Sequence, residues 1–410
     1  MSTPARVATR TSPPGFREFV WLAAALMATQ AFAVDAMLPA LPTIVRELGI
    51  ADANRGQLIV TVYVAGVGIG QLFWGLMSDR FGRRRILLTG LGLYVLAAVC
   101  CGLSASFEAL LAWRLVHGLA AASAVVTRSV IRDQYSGRQM ARIMSLTFVV
   151  FLMVPVVAPS LGQAILLAAP WRYVFGAFGA FATAVWLWAF LRLPETLRPE
   201  NRVPLTGVRI FGAVRIVLSD RASLFYSLAI ALMFGALLAY VGMIQQIFAV
   251  VFHAPQLMPT VFALCAMSMG AASLLNSRIV GRLGMRRISH TALLAFIATT
   301  ALHTAVAALG LETLWTFVVL QSATMAFFSL TASNFGAMAL EPVGAIAGIG
   351  ASLQGFITTT GGAFVGAAIG SLFDGTTVPL AAGALICGLV GLSFAHVAGR
   401  GRPFFSIREN

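Results

Sequence analysis

Ionisable residues inside long apolar runs are candidates for function, because a buried charge is costly there and usually serves one. Asp35 interrupts the run 19–38, and the other acidic residues fall at the ends of runs or between them. Arg114 and His117 lie one helical turn apart in another run. A carboxylate and an imidazole can bind and release protons, and a nearby guanidinium can tune them. The three residues are therefore candidates for proton coupling.

If these runs are helices across a bilayer, the acid and the base lie at similar depth. Asp35 is about 24 Å along its run and Arg114 about 9 Å below the outer end of its own, in a hydrocarbon core about 30 Å thick. We expect the two groups to pair or to compete for a proton. Other interpretations stay open: Asp35 could cap a helix near Pro39, Arg114 could extend to the interface, and His117 could serve packing alone.

A second group of residues has the spacing of a tight turn between two helices. It reads Gly75-Leu-Met-Ser-Asp79-Arg80-Phe-Gly82-Arg83-Arg84-Arg85. A glycine permits close helix approach or a sharp turn, and a carboxylate at a helix end can meet arginines or the positive end of a neighbouring helix. A positively charged loop would explain the arginines but not the ordered glycines and aspartate. We predict a conformational latch made by Gly75, Asp79, Arg80, Gly82, Arg83 and Arg84.

Uncharged amides within the apolar runs are candidates for the lining of a substrate cavity, although each could equally be structural. They are Gln30, Gln245, Gln246, Asn334 and Gln354. The four cysteines have neither metal-ligand nor disulfide spacing, and there is no nucleophile elbow or phosphate-binding loop. The sequence therefore predicts no enzyme, no cofactor and no metal site.

The elements that position these residues follow from composition. The chain has 410 residues, of which 59% are hydrophobic and 10% charged, whereas soluble domains carry about 25% charged residues. Apolar runs long enough to cross a bilayer occur at 18–39, 57–78, 85–104, 108–131, 143–168, 171–193, 222–250, 258–279, 289–309, 313–338, 343–371 and 378–398. We predict an all-α membrane protein of twelve transmembrane helices in two six-helix bundles.

The predicted domains are an N-terminal bundle at 1–193, a cytoplasmic central loop at 194–221, a C-terminal bundle at 222–398 and a cytoplasmic tail at 399–410. Arginine placement predicts orientation, because positive loops stay in the cytoplasm. With the N-terminus inside, inner segments hold 24 arginines and outer loops 3. We expect a multi-pass protein of the bacterial inner membrane with both termini cytoplasmic. The net charge of +14 is spread over these short loops, so we expect no nucleic-acid partner.

The motif at 75–85 resembles the signature loop of the major facilitator superfamily, and a degenerate copy at 278–287 lacks the aspartate. The spacing of Arg114 and Gly118 resembles the superfamily's helix 4 motif, in which the arginine is implicated in proton coupling. With Asp35-x(2)-Leu38-Pro39-x-Leu41-Pro42 and 193–197, residues 20–200 resemble the bicyclomycin-resistance (Bcr/CflA) group of drug:proton antiporters. The second half resembles the superfamily chiefly in topology.

The resemblance implies a proton-coupled secondary transporter that exports lipophilic drugs or small molecules by alternating access. Its partners would be a small-molecule substrate, protons and membrane lipid, and we expect a monomer. Helix 5 has Pro155, Pro159 and Gly162 but lacks the Gly-Pro pair of exporters, which weakens the antiport interpretation. The alternative is a dedicated transporter of a single metabolite on the same fold. A channel or a membrane enzyme is disfavoured, because neither a polar ring nor a catalytic set is visible.

Overall fold

The computed structural model describes residues 14–135, 137–198, 200, 202 and 207–399. Regular secondary structure in these ranges is entirely helical. The helices are α1 Phe16–Asp35, α2 Leu58–Phe81, α3 Arg83–Gly102, α4 Phe107–Ala121 with its continuation Val126–Gln134, α5 Gly137–Ala168, α6 Arg172–Arg192, α7 Gly207–Ser219, α8 Arg221–Gln246, α9 Met258–Leu283, α10 Met285–Ala308, α11 Leu314–Leu340, α12 Ala347–Gly370 and α13 Val378–Ala398.

Twelve of these helices are spans, and α7 is a connection. Within the described residues, ten spans are long and apolar enough to cross a membrane on length and composition alone, and α5 carries a further apolar stretch, Met153–Ala168. The 24-residue α12 completes the twelve. The predicted all-α architecture is therefore confirmed, with six spans before the connection and six after it.

The first span is longer than the sequence predicted. After α1 the chain continues through a short 3-10 turn, Leu38–Ala40, and a short helix, Leu41–Glu47. Pro39 and Pro42 occupy the first turns of these two elements, where the missing proline N–H costs nothing. The span therefore continues past both prolines to Glu47 instead of ending at residue 39, and Asp35 lies well inside it.

The central connection also differs from the polar loop expected at 194–221, since it contains the 13-residue helix α7. Val217 of α7 is buried with Val343 and Leu353, so the helix packs against the start of α12. Most of the predicted tail at 399–410, and the first 13 residues of the predicted N-terminal bundle, lie outside the described residues.

The two halves repeat a structural feature at corresponding turns. Gly82, between α2 and α3, has φ = 102°, and Gly284, between α9 and α10, has φ = 77°. Backbone in this region favours glycine because it has no Cβ. Both turns lie at the end of the bundle where α1 begins and α13 ends, called here the arginine-rich end. The halves meet along α2 with α12 and along α5 with α9.

Candidate functional site

A cavity of about 300 Å³ lies between the two halves. The first half contributes Gln30, Asp35 and Tyr63. The second half contributes mostly apolar side chains, among them Phe234, Leu237, Phe262, Met269, Met325 and Phe328. Asp35 is the one acidic or basic side chain among the described residues of this lining.

Asp35 is buried in the protein, with 6% of its surface exposed. Its carboxylate makes no hydrogen bond and no ion pair within the described part of the chain. It sits at the C-terminal end of α1, which is the negative end of the helix dipole. The group is therefore available to a ligand or a proton inside the cavity.

Arg114 lies behind the cavity wall and does not form an ion pair with Asp35. Its side chain is fully buried. Its Nε donates to the Ile59 carbonyl at 3.0 Å and its Nη2 to the Ala33 carbonyl at 3.3 Å. The Ala33 carbonyl belongs to the last turn of α1, so Arg114 caps the helix that carries Asp35.

The ring of Tyr63 separates Arg114 from the cavity. Its centroid is 4.2 Å from Arg114 Cζ, which is a cation–π distance. Tyr63 lines the cavity, whereas Arg114 does not. The Tyr63 hydroxyl donates to the Gln30 carbonyl at 3.0 Å, so this ring is held in place by α1 on one side and by Arg114 on the other.

His117 is tied to Arg114 rather than to the cavity. His117 Nδ1 is 3.3 Å from Arg114 Nη1, and because arginine only donates, Nδ1 must be the acceptor. The ring packs on Tyr94, with centroids 4.1 Å apart, and its Nε2 has no hydrogen-bond partner among the described residues. A proton arriving at Nδ1 would remove the acceptor that Arg114 uses.

The predicted latch centres on Arg83, whose side chain is only 4% exposed. Its Nη1 donates to Asp79, four residues earlier, and to Ser78 Oγ at 2.7 Å. Its Nε donates to Asp133 at the end of α4, at 3.0 Å. The arginine thereby joins the ends of α2 and α4. The sequence spacing did not point to Asp133.

Glu195 is a second residue of the latch that sequence reasoning missed. Its Oε1 accepts from the backbone N–H of Arg83 at 2.8 Å and from that of Leu197 at 3.1 Å. A Cβ atom at Gly82 would lie 2.3 Å from Glu195 Oε2, so the turn needs glycine for space as well as for φ. The signal was present, since Glu195 belongs to the segment 193–197 on which the family resemblance partly rests.

The other latch residues lie apart from this ion-pair network. A Cβ atom at Gly75 would be 3.0 Å from Ser352 Oγ, so Gly75 lies where α2 meets α12. Arg84 Nη2 donates to the Phe190 carbonyl at 2.7 Å, which fastens α3 to α6. Arg80 lies over the neighbouring Phe81 ring at 5.2 Å.

Of the five predicted cavity amides, the structure places Gln30 in the lining. Gln245 is buried, with its Oε1 unpaired among described residues. Asn334 donates to Asn276 at 2.8 Å, and Gln354 donates to a backbone carbonyl within its own half at 3.1 Å. These three amides do not line the cavity.

The fifth predicted amide, Gln246, lies at the end opposite the arginine-rich end, in an amide cluster with Asn54 and Gln57. Gln57 Nε2 donates to Gln246 Oε1 at 2.8 Å and to the Gly370 carbonyl at 3.1 Å. Gln246 Nε2 donates to Asn54 Oδ1 at 3.1 Å, and Asn54 Nδ2 donates to the Phe373 carbonyl at 3.0 Å. The cluster bonds the two halves together above the cavity.

Comparison with known proteins identifies the family of this chain. A family model described as Major Facilitator Superfamily matches residues 20–371. The chain belongs to this superfamily. It is therefore a multi-pass membrane protein of a transporter family, as the motifs at 75–85 and 114–118 predicted.

Several curated relatives extend the match along the chain. YdgK of Bacillus subtilis, an uncharacterized transporter of the superfamily, is 31% identical over 87% of this chain and 89% of its own. The bicyclomycin resistance protein homolog of Haemophilus influenzae is 31% identical over 85% of this chain and 88% of its own. The multidrug resistance protein MdtL of Shigella flexneri is 34% identical over 41% of this chain and 43% of its own. The predicted resemblance to bicyclomycin-resistance proteins is confirmed.

Solved structures show the same fold. The xylose transporter XylE of E. coli superposes with a TM-score of 0.75 at 12% identity, covering 95% of this chain and 98% of its own. At this identity the likeness concerns architecture alone. The twelve-helix major facilitator superfamily fold is thus established by sequence and by structure.

Proposed function

We propose that this protein is a proton-coupled exporter of lipophilic small molecules, acting as a monomer in the bacterial inner membrane with its arginine-rich end in the cytoplasm. The observation that carries the proposal is an apolar cavity between two halves that contains one unpaired carboxylate, Asp35. Apolar lining favours lipophilic ligands by area burial. The relatives named for bicyclomycin and multidrug resistance support export of drugs.

Transport by alternating access needs contacts at both ends that can break and re-form. The amide cluster bonds the halves together at the end that would face the periplasm. The Arg83 network lies at the cytoplasmic end and fixes α2 to α4 within the first half. Opening toward the periplasm would break the amide cluster and bring the latch region against α12, which Gly75 already contacts.

Asp35 would exchange substrate for a proton. Ionised Asp35 binds substrate taken from the cytoplasm, and a periplasmic proton neutralises the carboxylate and releases that substrate. The proton then leaves to the cytoplasm when the cavity faces it again. Such a group must bind and release its proton within the working pH range. Arg114 donates to the Ala33 carbonyl in the last turn of α1 and so positions the Asp35 carboxylate without pairing with it.

Transport by purified protein in vesicles with an imposed pH gradient tests this function. Asp35→Asn removes the proton site with little change in shape and should abolish substrate movement driven by the gradient. Glu108→Gln is the matched control, because Glu108 is an exposed acid in the first turn of α4, and it should transport like the wild type. Gradient-driven transport by Asp35→Asn at the wild-type rate would refute the assignment.

The range of transported substrates distinguishes a dedicated metabolite transporter from an exporter of lipophilic compounds. An exporter of lipophilic compounds should move several unrelated apolar compounds, because its cavity binds by area burial. Transport of one compound only, with all lipophilic compounds inactive, would favour the dedicated transporter.

A further inference from the structure

We infer that one exposed face of the connecting helix α7 binds anionic phospholipid headgroups in the leaflet at the arginine-rich end. The face consists of Phe211, Arg215 and Leu218 and is called here the α7 stripe. The inference goes beyond the proposed function, because it concerns a lipid site on the surface of the protein. It holds for any substrate and any coupling ion.

The position of α7 places it at the level of the headgroups. Its 13 residues extend about 20 Å, which is too short to cross a bilayer. One residue, Asp220, separates α7 from the span α8 and caps the start of that span. Val217 of α7 is buried with Val343 and Leu353, at the end of the molecule where α12 begins. The helix therefore lies at the ends of the spans, where lipid headgroups surround the protein.

The packing of α7 determines which of its faces stays exposed. Val214 and Val217, three residues apart, lie on the side that packs against the second half. Phe211 and Leu218 are seven residues apart, with Arg215 between them at helical spacing, so the three share a different face. Phe211 is 70% exposed and Leu218 44%, and Arg215 is also exposed. The two valines thus hold the α7 stripe on the outside of the protein.

The composition of the α7 stripe fits a lipid interface. Exposure of Phe211 and Leu218 to water would be unfavourable, whereas both side chains gain by entering the boundary between headgroups and acyl chains. Arg215 makes no hydrogen bond and no ion pair within the described part of the chain. Its apolar stem can lie along the two apolar side chains while its guanidinium reaches the phosphates. The stripe therefore offers a lipid both an apolar and a cationic contact.

Charge decides which headgroup the stripe favours. The helix contains two arginines and no acidic residue, and Arg221, which follows it, is exposed. A guanidinium binds a phosphate through two parallel hydrogen bonds. Zwitterionic headgroups carry a cationic group that offsets the charge of their phosphate, whereas anionic headgroups do not. Anionic phospholipids are therefore the class of lipid that this face fits, with each arginine near the surface contributing about fivefold in affinity.

A fluorophore on the α7 stripe identifies the lipid beside it. Bimane is attached to Leu218→Cys in a Cys100→Ser background, because Cys100 is the native cysteine that is not buried. The full-length protein is reconstituted in phosphatidylcholine vesicles that contain a small fraction of nitroxide-labelled phosphatidylglycerol or nitroxide-labelled phosphatidylcholine. Both labelled lipids should quench the bimane, and labelled phosphatidylglycerol should do so at a lower mole fraction.

Removal of the stripe's charge tests the role of Arg215. In Arg215→Gln, the mole fraction of labelled phosphatidylglycerol that gives half-maximal quenching should rise about fivefold. Arg282→Gln is the matched control, because Arg282 is an exposed arginine in the last turn of α9 at the same end of the protein. It should leave this mole fraction unchanged. Bimane on Phe211→Cys repeats the measurement if Leu218→Cys does not fold.

Aqueous iodide, added as a second quencher, separates the other possible surroundings of the stripe. Quenching by iodide with none by either lipid would place the stripe in water. Protection from iodide and from both lipids would mean that protein, such as a second copy of the chain, covers it. Either result would overturn the lipid site. Equal quenching by the two labelled lipids, or an unchanged midpoint in Arg215→Gln, would overturn the selection of anionic headgroups.

Discussion

The amide cluster offers a direct way to shift the conformational equilibrium of this transporter. Gln57 is buried, with 6% of its surface exposed, and it spans the two halves through hydrogen bonds to Gln246 and to the Gly370 carbonyl. Gln57→Leu keeps a side chain of similar size but cannot donate. We expect it to destabilise the conformation in which this end is closed.

The size of the effect follows from the two lost hydrogen bonds. Each contributes about 0.5–1.5 kcal/mol net, so the loss is about 1–3 kcal/mol. A free-energy change of this size shifts a two-state equilibrium by about 5- to 150-fold. If wild type and Gln57→Leu fold alike, a conformation that is rare in the wild type should become readily detectable in Gln57→Leu.

Distances between spin labels across this end measure the shift. Cysteines replacing Ala105 and Leu311, both exposed, place one label on each half. Cys100→Ser removes the native cysteine that is not buried. Gln57→Leu should add a longer distance to the distribution, whereas Gln139→Leu, an exposed amide at the arginine-rich end, should not. Identical distributions for wild type and Gln57→Leu would show that the cluster does not hold this end closed.

Three further changes test other parts of the structure. A Cβ atom at Gly118 would lie 1.9 Å from the Tyr63 carbonyl oxygen. Gly118→Ala must therefore separate α2 from α4 and should lower stability by about 1–3 kcal/mol in thermal unfolding. Gly176→Ala, with open space around it, should leave stability unchanged, and equal stability of the two variants would contradict this packing. Arg114→Lys keeps the charge but loses the planar guanidinium. Substrate-induced proton release should fall, while the size-exclusion profile of the variant stays like that of the wild type. Proton release by Arg114→Lys at the wild-type level would show that the cap on α1 is dispensable. Reporter fusions after Asn410 and within 253–257 should report opposite sides of the membrane, and a shared side would defeat the orientation.

The twelve helices were predictable because a bilayer requires about twenty apolar residues for each span, whatever their order. Helix ends were harder. Pro39 and Pro42 look like terminators in sequence, yet each occupies the first turn of a following helix. The helix α7 was missed because its 13 residues are too short to cross a bilayer and include two arginines. Its Val217 is buried by packing at the start of α12.

The candidate site was predictable only in part. Isolation in an apolar run pointed to Asp35, which lies in the cavity. The partners of Arg114 are backbone carbonyls 55 and 81 residues away, and sequence spacing carries no sign of them. Likewise the contact of Glu195 with the Arg83 N–H joins residues 112 apart. The amides were ambiguous because a buried amide can line a cavity or join two helices.

The hydrogen bonds around Asp35 also indicate which half of the protein responds to a change in its charge. Tyr63 and Arg114 bond to the carbonyls of Gln30 and Ala33, so α1 is fastened to α2 and α4 on the approach to the carboxylate. Asp35 is therefore fixed within the first half. A change in its charge alters how favourably the apolar lining of the second half packs against it. Closing that lining over an unpaired carboxylate is unfavourable, whereas closing it over a protonated acid or a carboxylate–cation pair is not. The proposed exchange of substrate for a proton therefore needs no ion pair between Asp35 and Arg114, because the empty, ionised cavity is the state that resists closure.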